Sequence, residues 1–151
     1  MITVRKLEKK DLDELVVIEN EAFSIPWSKK SFEEAIDNTN ARYLVITDSD
    51  VVCGYLGMWY GGDHSEITNV AIAKEYRGRG FSKLLLDAAE KLAKSENITR
   101  LFLEVRVSND IAKNLYYSHG FSDMGIRKNF YERPVEDALV LRKSISQNDE
   151  D

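Results

Sequence analysis

From Asn69 to Lys83 the chain runs through a short apolar stretch (Val70-Ala71-Ile72-Ala73), a glycine-bearing turn (Arg77-Gly78-Arg79-Gly80) and the first residues of a helical pattern. A strand that turns through glycines into a helix leaves unpaired N–H groups at the helix start, a ready anion site. Gly78 and Gly80 lack a Cβ, which permits unusual φ and close approach by a ligand. Arg77, Arg79 and Lys83 add positive charge, so the stretch suits a pyrophosphate. It lacks the Gly-Lys-Ser/Thr ending of a P-loop and the third glycine of a dinucleotide fingerprint. A purely structural turn is the alternative reading of the two glycines.

The rest of the chain falls into order around this stretch. Ile2 and Val4 alternate with Thr3 and Arg5, which predicts a strand. Asp11 opens a helix with Leu12, Leu15, Ile18 and Ala22 on one side, and Ser24-Ile25-Pro26-Trp27 breaks it. Ser28 caps a second helix through Phe32, Ala35 and Ile36. Strands follow at 43–47, 51–60 and 66–72, with Gly54 and Gly57 read as a bulge or close packing. Phe81, Leu84, Leu85, Ala88 and Leu92 carry helical spacing. The strand at 101–107 presents Leu101, Leu103, Val105 and Val107 on one face and Phe102, Glu104 and Arg106 on the other. The helix between 69–72 and 101–107 is long enough to make those strands parallel neighbours. Asn109 caps a short helix bearing Ala112, Leu115 and Tyr116, ended by Gly120. Strands at 121–131 and 138–145 close the domain, placed at 1–145, with 146–151 expected as a disordered acidic tail. This order is mixed α+β: a mostly antiparallel sheet of about seven strands with about four helices.

Composition narrows the function classes. The net charge is −5, and Asp149-Glu150-Asp151 supplies three of those charges. A mildly acidic body argues against nucleic-acid binding and suits a basic peptide partner. Glu33, Glu34 and Glu136 are candidates to steer one, with a solvated face as the plainer reading. No apolar run is long enough to span a membrane and no signal-peptide core opens the chain, so the cytoplasm is expected. One Cys and two His give no metal-ligand spacing. Cys53 reads as strand packing rather than a nucleophile, and His64 as a solvated loop residue.

Glu104, a carboxylate within an apolar strand, needs a partner or a task. Asn109 reads as a cap and Tyr116 as core on spacing alone. Arg77-Gly78-Arg79-Gly80-Phe81-Ser82 resembles the Arg/Gln-x-x-Gly-x-Gly/Ala motif of the GNAT N-acetyltransferases, and the order of elements over about residues 2–145 resembles their fold. Leu103–Asn109, Leu115–Phe121, Arg127–Tyr131 with Glu136–Leu139, and the early loop Ala22–Ser28 resemble the RimI-type protein N-terminal acetyltransferases.

That resemblance implies acetyl-CoA as donor and no metal. The backbone of Val70, Ala71 and Ile72 would meet the pantetheine arm. Gly78, Arg79, Gly80, Phe81, Ser82 and Lys83 would hold the pyrophosphate, and Asn109 would touch the same molecule. Ser82 departs from the Gly or Ala of the motif. Glu104 matches the general base and Tyr116 the general acid, the family register choosing Tyr116 over Tyr117. Trp27, Asn129 and Tyr131 would line the acceptor side. The implied acceptor is a protein N-terminal amine, the alanine of small-subunit ribosomal protein number eighteen. A different amine, or a non-catalytic acyl-CoA-binding module, are the alternatives.

Overall fold

The computed structural model describes residues 1–145; the expected acidic tail lies outside them. A seven-stranded sheet in the order β1-β2-β3-β4-β5-β7-β6 forms the middle layer. Its strands are β1 (Ile2–Lys6), β2 (Ala41–Asp48), β3 (Val51–Gly61), β4 (His64–Ile72), β5 (Arg100–Arg106), β6 (Ser122–Tyr131) and β7 (Glu136–Ser144). Helices α1 (Leu12–Ala22) and α2 (Lys29–Asp37) separate β1 from β2; α3 (Phe81–Ser95) and α4 (Asp110–Ser118) flank β5 in sequence.

The strands β1 to β4 form an antiparallel meander. Ser49 and Asp50, with φ of 48° and 72°, make the β2–β3 turn, the left-handed pair that matches strand twist. The β4–β5 pair is parallel, as the long crossover requires. β7 then inserts between β5 and β6, antiparallel to both.

Two apolar layers hold the sheet. One contains Leu56, Met58, Ile67, Leu101 and Leu103 against Leu85, Leu86 and Ala89 of α3. The other packs Tyr43, Val45, Tyr55 and Ala71 against Leu12, Leu15 and Ile18 of α1 and Phe32 of α2. Burying each large side chain contributes about 1.5–3 kcal/mol.

Three local expectations change. Leu84 is 42 % exposed whereas Leu86 is buried; in the run Leu84-Leu85-Leu86 the spacing alone admits either edge of the stripe. Ala22 is exposed at the end of α1. Asp11 opens α1 from its N-cap position as expected, with its side chain accepting instead from Arg5 Nη1 and Nη2, both at 2.8 Å, and from the Glu8 N–H at 2.9 Å. Finally, β4 and β5 pair only over His64–Ile67 and Arg100–Leu103, not over 69–72.

That last difference has a local cause. Met58 faces Ile67, but Gly57 faces Asn69, so Thr68 is an extra residue in β4. Such a bulge bends and twists its strand. Beyond it β4 leaves β5, and the sheet opens. Gly57 allows the close approach there, because a Cβ on it would lie 2.3 Å from the Tyr43 ring.

Candidate active site

The opening between β4 and β5 is the mouth of a cleft of about 570 Å³. Its lining comes from the α1–α2 loop (Phe23, Ser24, Ile25, Trp27), the β4 edge (Ile67–Val70), β5 (Leu103–Arg106), the start of α4 and the end of β6. Strand alternation on β5 sends Leu103 and Val105 into the α3 layer and leaves Glu104 on the open side.

Glu104 has a 10 % exposed side chain, and its Oε1 lies 3.8 Å from Arg127 Nη1. Its Oε2 is buried and accepts no hydrogen bond among the described residues. Burial first, and the carboxylate of Glu66 next, push its pKa up to about 7, with Arg127 opposing. A carboxyl poised near neutrality is suited to taking a proton and giving it up again.

Tyr116 is buried beside the cleft, its ring edge-on to Phe121 at 5.9 Å. Burial, then Tyr131, pushes its pKa up to about 12, so at neutral pH its hydroxyl keeps its proton. Tyr117 points elsewhere and donates to Asp123 at 2.5 Å. Geometry thus separates two tyrosines that spacing could not.

Asn109 reaches the cleft while its Oδ1 accepts the Ala112 N–H at 3.1 Å; the cap reading and a place in the lining coexist. Trp27 lines the cleft and packs on Phe32 at 5.5 Å and on Tyr43 and Trp59 at 6.3 Å. Tyr131 also lines it, under the Arg106 guanidinium at 4.5 Å. Burial first, then the Glu104 charge, pushes the Tyr131 pKa up to about 12. Asn129 is not in the lining: it has a φ of 53° and donates its N–H to Asp137 at 2.9 Å. Glu136 is engaged as well, with Arg106 at 3.3 Å and the Ser108 N–H at 2.7 Å, which leaves Glu33 and Glu34 as the exposed acids of that group.

Val70 lies on the cleft wall; Ala71 and Ile72 bury their side chains on opposite faces of β4. From Thr68 onward the β4 edge has no β5 partner. The glycine turn follows. Gly78 and Gly80 both have φ of 78°, and a Cβ on either would meet nothing within 4 Å. Backbone sign, not crowding, therefore demands glycine there. Gly80 occupies the N-cap position of α3 without a side-chain cap, so the N–H groups of the first turn remain open. Phe81 turns inward and stacks on Tyr76 at 6.0 Å; the Arg79 guanidinium lies over the Tyr76 ring at 5.1 Å. Arg77 Nε donates to the Ile72 carbonyl at 3.1 Å, bracing the strand end. Lys83 is exposed and Ser82 half-buried at the helix start. Gly80→Ala is expected to lower stability by about 1–2 kcal/mol, since an L residue is strained in that region. Urea denaturation measures this; an unchanged midpoint would remove the backbone argument.

Cys53 is buried, with Sγ at 3.3 Å from the Val51 carbonyl, and burial pushes its thiol pKa up. His64 is exposed at the start of β4, with its ring 5.7 Å from Phe102. Neither enters the cleft lining. Among the described residues no group of three or more His, Cys, Asp or Glu could hold a metal ion, and no helix is long and apolar enough to cross a membrane.

Residues missed by sequence reading include Glu19 and Asn69, both buried and both in the lining. Glu19 carried a signal: it stands four residues after Leu15 and seven after Leu12, where the helix face should be apolar.

Parted parallel strands, an open helix start and a raised-pKa carboxyl on the cleft wall are compatible with acyl transfer, and comparison with known proteins identifies the family. Residues 12–121 match the model of the Acetyltransferase (GNAT) family, and the chain belongs to that family. A Bacillus subtilis protein provisionally named a ribosomal protein bS18-alanine N-acetyltransferase is 42 % identical over 145 residues, covering 95 % of this chain and 96 % of its own. The Escherichia coli K12 protein named ribosomal protein bS18-alanine N-acetyltransferase is 32 % identical over 150 residues, with 97 % and 99 % covered. A crystal structure of the Escherichia coli ribosomal-protein-S18-alanine N-acetyltransferase superposes with a TM-score of 0.90 at 29 % identity, covering 100 % of this chain and 98 % of that one. Ard1 from Thermoplasma volcanium shares the fold, with a TM-score of 0.89 at 22 % identity over 96 % and 98 % of the chains.

Proposed function

We propose that this chain transfers an acetyl group from acetyl-CoA to the N-terminal α-amino group of a protein, the alanine of ribosomal protein bS18. The observation that carries the chemistry is Glu104, held near neutrality on the wall of the cleft. The names of the similar proteins supply the acceptor. An acceptor that joins the ribosome supports a cytoplasmic site for the reaction.

The residues present fit acetyl-CoA. The unpaired β4 edge from Thr68 to Ile72 offers backbone groups to an extended amide-bearing arm. The open N–H groups from Gly80 to Lys83, with Arg79 and Lys83 nearby, suit a pyrophosphate. Acetyl-CoA supplies a thioester, an acyl carbon already activated toward an amine. An α-amino group has a pKa of about 8, so a fraction is neutral near pH 7. Glu104 removes the remaining proton as the C–N bond forms. Backbone N–H groups on the freed β4 edge stabilise the charge that develops on the acyl oxygen. The C–S bond breaks, and Tyr116 gives its proton to the leaving sulfur, Glu104 returning one through solvent. A thiol of pKa about 8.5 is a fair leaving group, so Tyr116 matters less to the rate than Glu104. No enzyme nucleophile is required.

The acceptor is tested by acetyl transfer to a peptide carrying the bS18 N-terminus, to an N-blocked lysine peptide and to a polyamine. The first should be favoured by about tenfold or more in kcat/KM. Faster transfer to either of the others overturns the acceptor assignment.

A further inference from the structure

Glu19 is 1 % exposed, on a helix face that otherwise buries leucine and isoleucine. A buried carboxylate is costly unless donors surround it, and here they do. The Trp27 N–H donates to Oε2 at 2.8 Å, and the Tyr55 hydroxyl donates to Oε1. Burial pushes the Glu19 pKa up, while Trp27 and Asn69 pull it back.

The two donors come from separate elements: Trp27 ends the α1–α2 loop and Tyr55 lies in β3. Asn69, in the same cleft lining, follows the Thr68 bulge. Asn69 is itself fixed: its Oδ1 accepts from Thr68 Oγ1 at 2.7 Å and from the Tyr43 hydroxyl at 3.4 Å. Trp59 Nε1 donates in turn to that Tyr43 oxygen at 3.3 Å. One carboxylate therefore ties the loop to Tyr55 of β3, which pairs in register with Ala71 on the freed strand. Among the described residues, the Trp27 bond is the single hydrogen bond from Ser24–Trp27 to the body of the protein.

We infer that Glu19 is a positioning residue that sets the width of the acceptor entrance by anchoring the α1–α2 loop to β3, beside the parted β4 strand. The inference rests on the acceptor reading above. Both Glu19 oxygens already accept hydrogen bonds, so it is not placed to serve as a second base. The glycine turn of the donor side lies outside its contacts.

The test compares Glu19→Ala and Glu19→Gln, reading kcat, acceptor KM and acetyl-CoA Kd separately. Glutamine keeps an oxygen for the Trp27 N–H, and the Tyr55 hydroxyl can rotate to accept from its amide. The alanine variant should raise acceptor KM by about tenfold or more, with acetyl-CoA Kd and kcat within about threefold; glutamine should restore most of the acceptor KM. An unchanged acceptor KM in the alanine variant overturns the inference. So does a parallel rise in acetyl-CoA Kd, or a kcat loss as deep in glutamine as in alanine. Amide hydrogen exchange of the native protein decides the matter even if the alanine variant does not fold: the Trp27 N–H should be protected while those of Ser24 and Ile25 exchange freely. Equal exchange across the loop refutes the anchor. Exchange needs no acceptor, so its failure is distinct from a failure to acetylate the bS18 peptide.

Discussion

Replacing Glu104 with glutamine is expected to cut kcat by about 10²–10⁴-fold, the usual contribution of a positioned general base. Acetyl-CoA affinity should stay within about twofold, because the substitution conserves shape and the glycine turn is remote from it. The pH dependence gives a second reading. The carboxyl works only when ionised, and burial beside Glu66 raises its pKa to about 7. Native kcat should therefore fall as pH drops through about 7, where the base becomes protonated. In the glutamine variant that limb disappears, leaving the titration of the acceptor amine near a pKa of about 8. Steady-state kinetics across pH 5.5 to 9 would check both, the range being roughly that over which these groups titrate. A variant that turns over at the native rate removes Glu104 from this role.

Phe32→Ala should have the largest effect on stability. Phe32 is fully buried, with ring centroids 5.5 Å from Trp27, 6.0 Å from Tyr43 and 5.7 Å from Tyr55. Deleting such a ring removes its transfer free energy and leaves a cavity, together about 3–5 kcal/mol. Urea unfolding measures it; a loss below about 1 kcal/mol would mean that the neighbouring rings close the gap. Because Trp27 rests on Phe32, the variant should also weaken acceptor binding before donor binding.

Much of this was legible in the residues because local signals agreed with the global fold. Period switches placed the helices and strands, Ser28 capped α2 and Asn109 capped α4 as expected. The glycine turn was legible because only glycine adopts that backbone without strain. Strand order was not: the insertion of β7 between β5 and β6 is a long-range pairing that no window of sequence encodes. The bulge left a trace, a phase change from Ile67 to Val70 and Ile72 as the residues facing α3, but one skipped beat in a short strand is easily absorbed into plain alternation. Glu19 was passed over for a different reason. Its importance comes from donors far away in sequence, and a single acid on an apolar face is read as noise. Spacing alone could not separate Tyr116 from Tyr117; the family register chose Tyr116, and the orientation of α4 sets that residue beside the cleft.

Thr68 has one more consequence. Past it, Val70 and Ile72 return to the layer that Ile67 faces and Ala71 to the other, so the apolar alternation resumes after a single surplus residue. One inserted amino acid marks where β4 and β5 stop pairing, while both apolar layers keep their members.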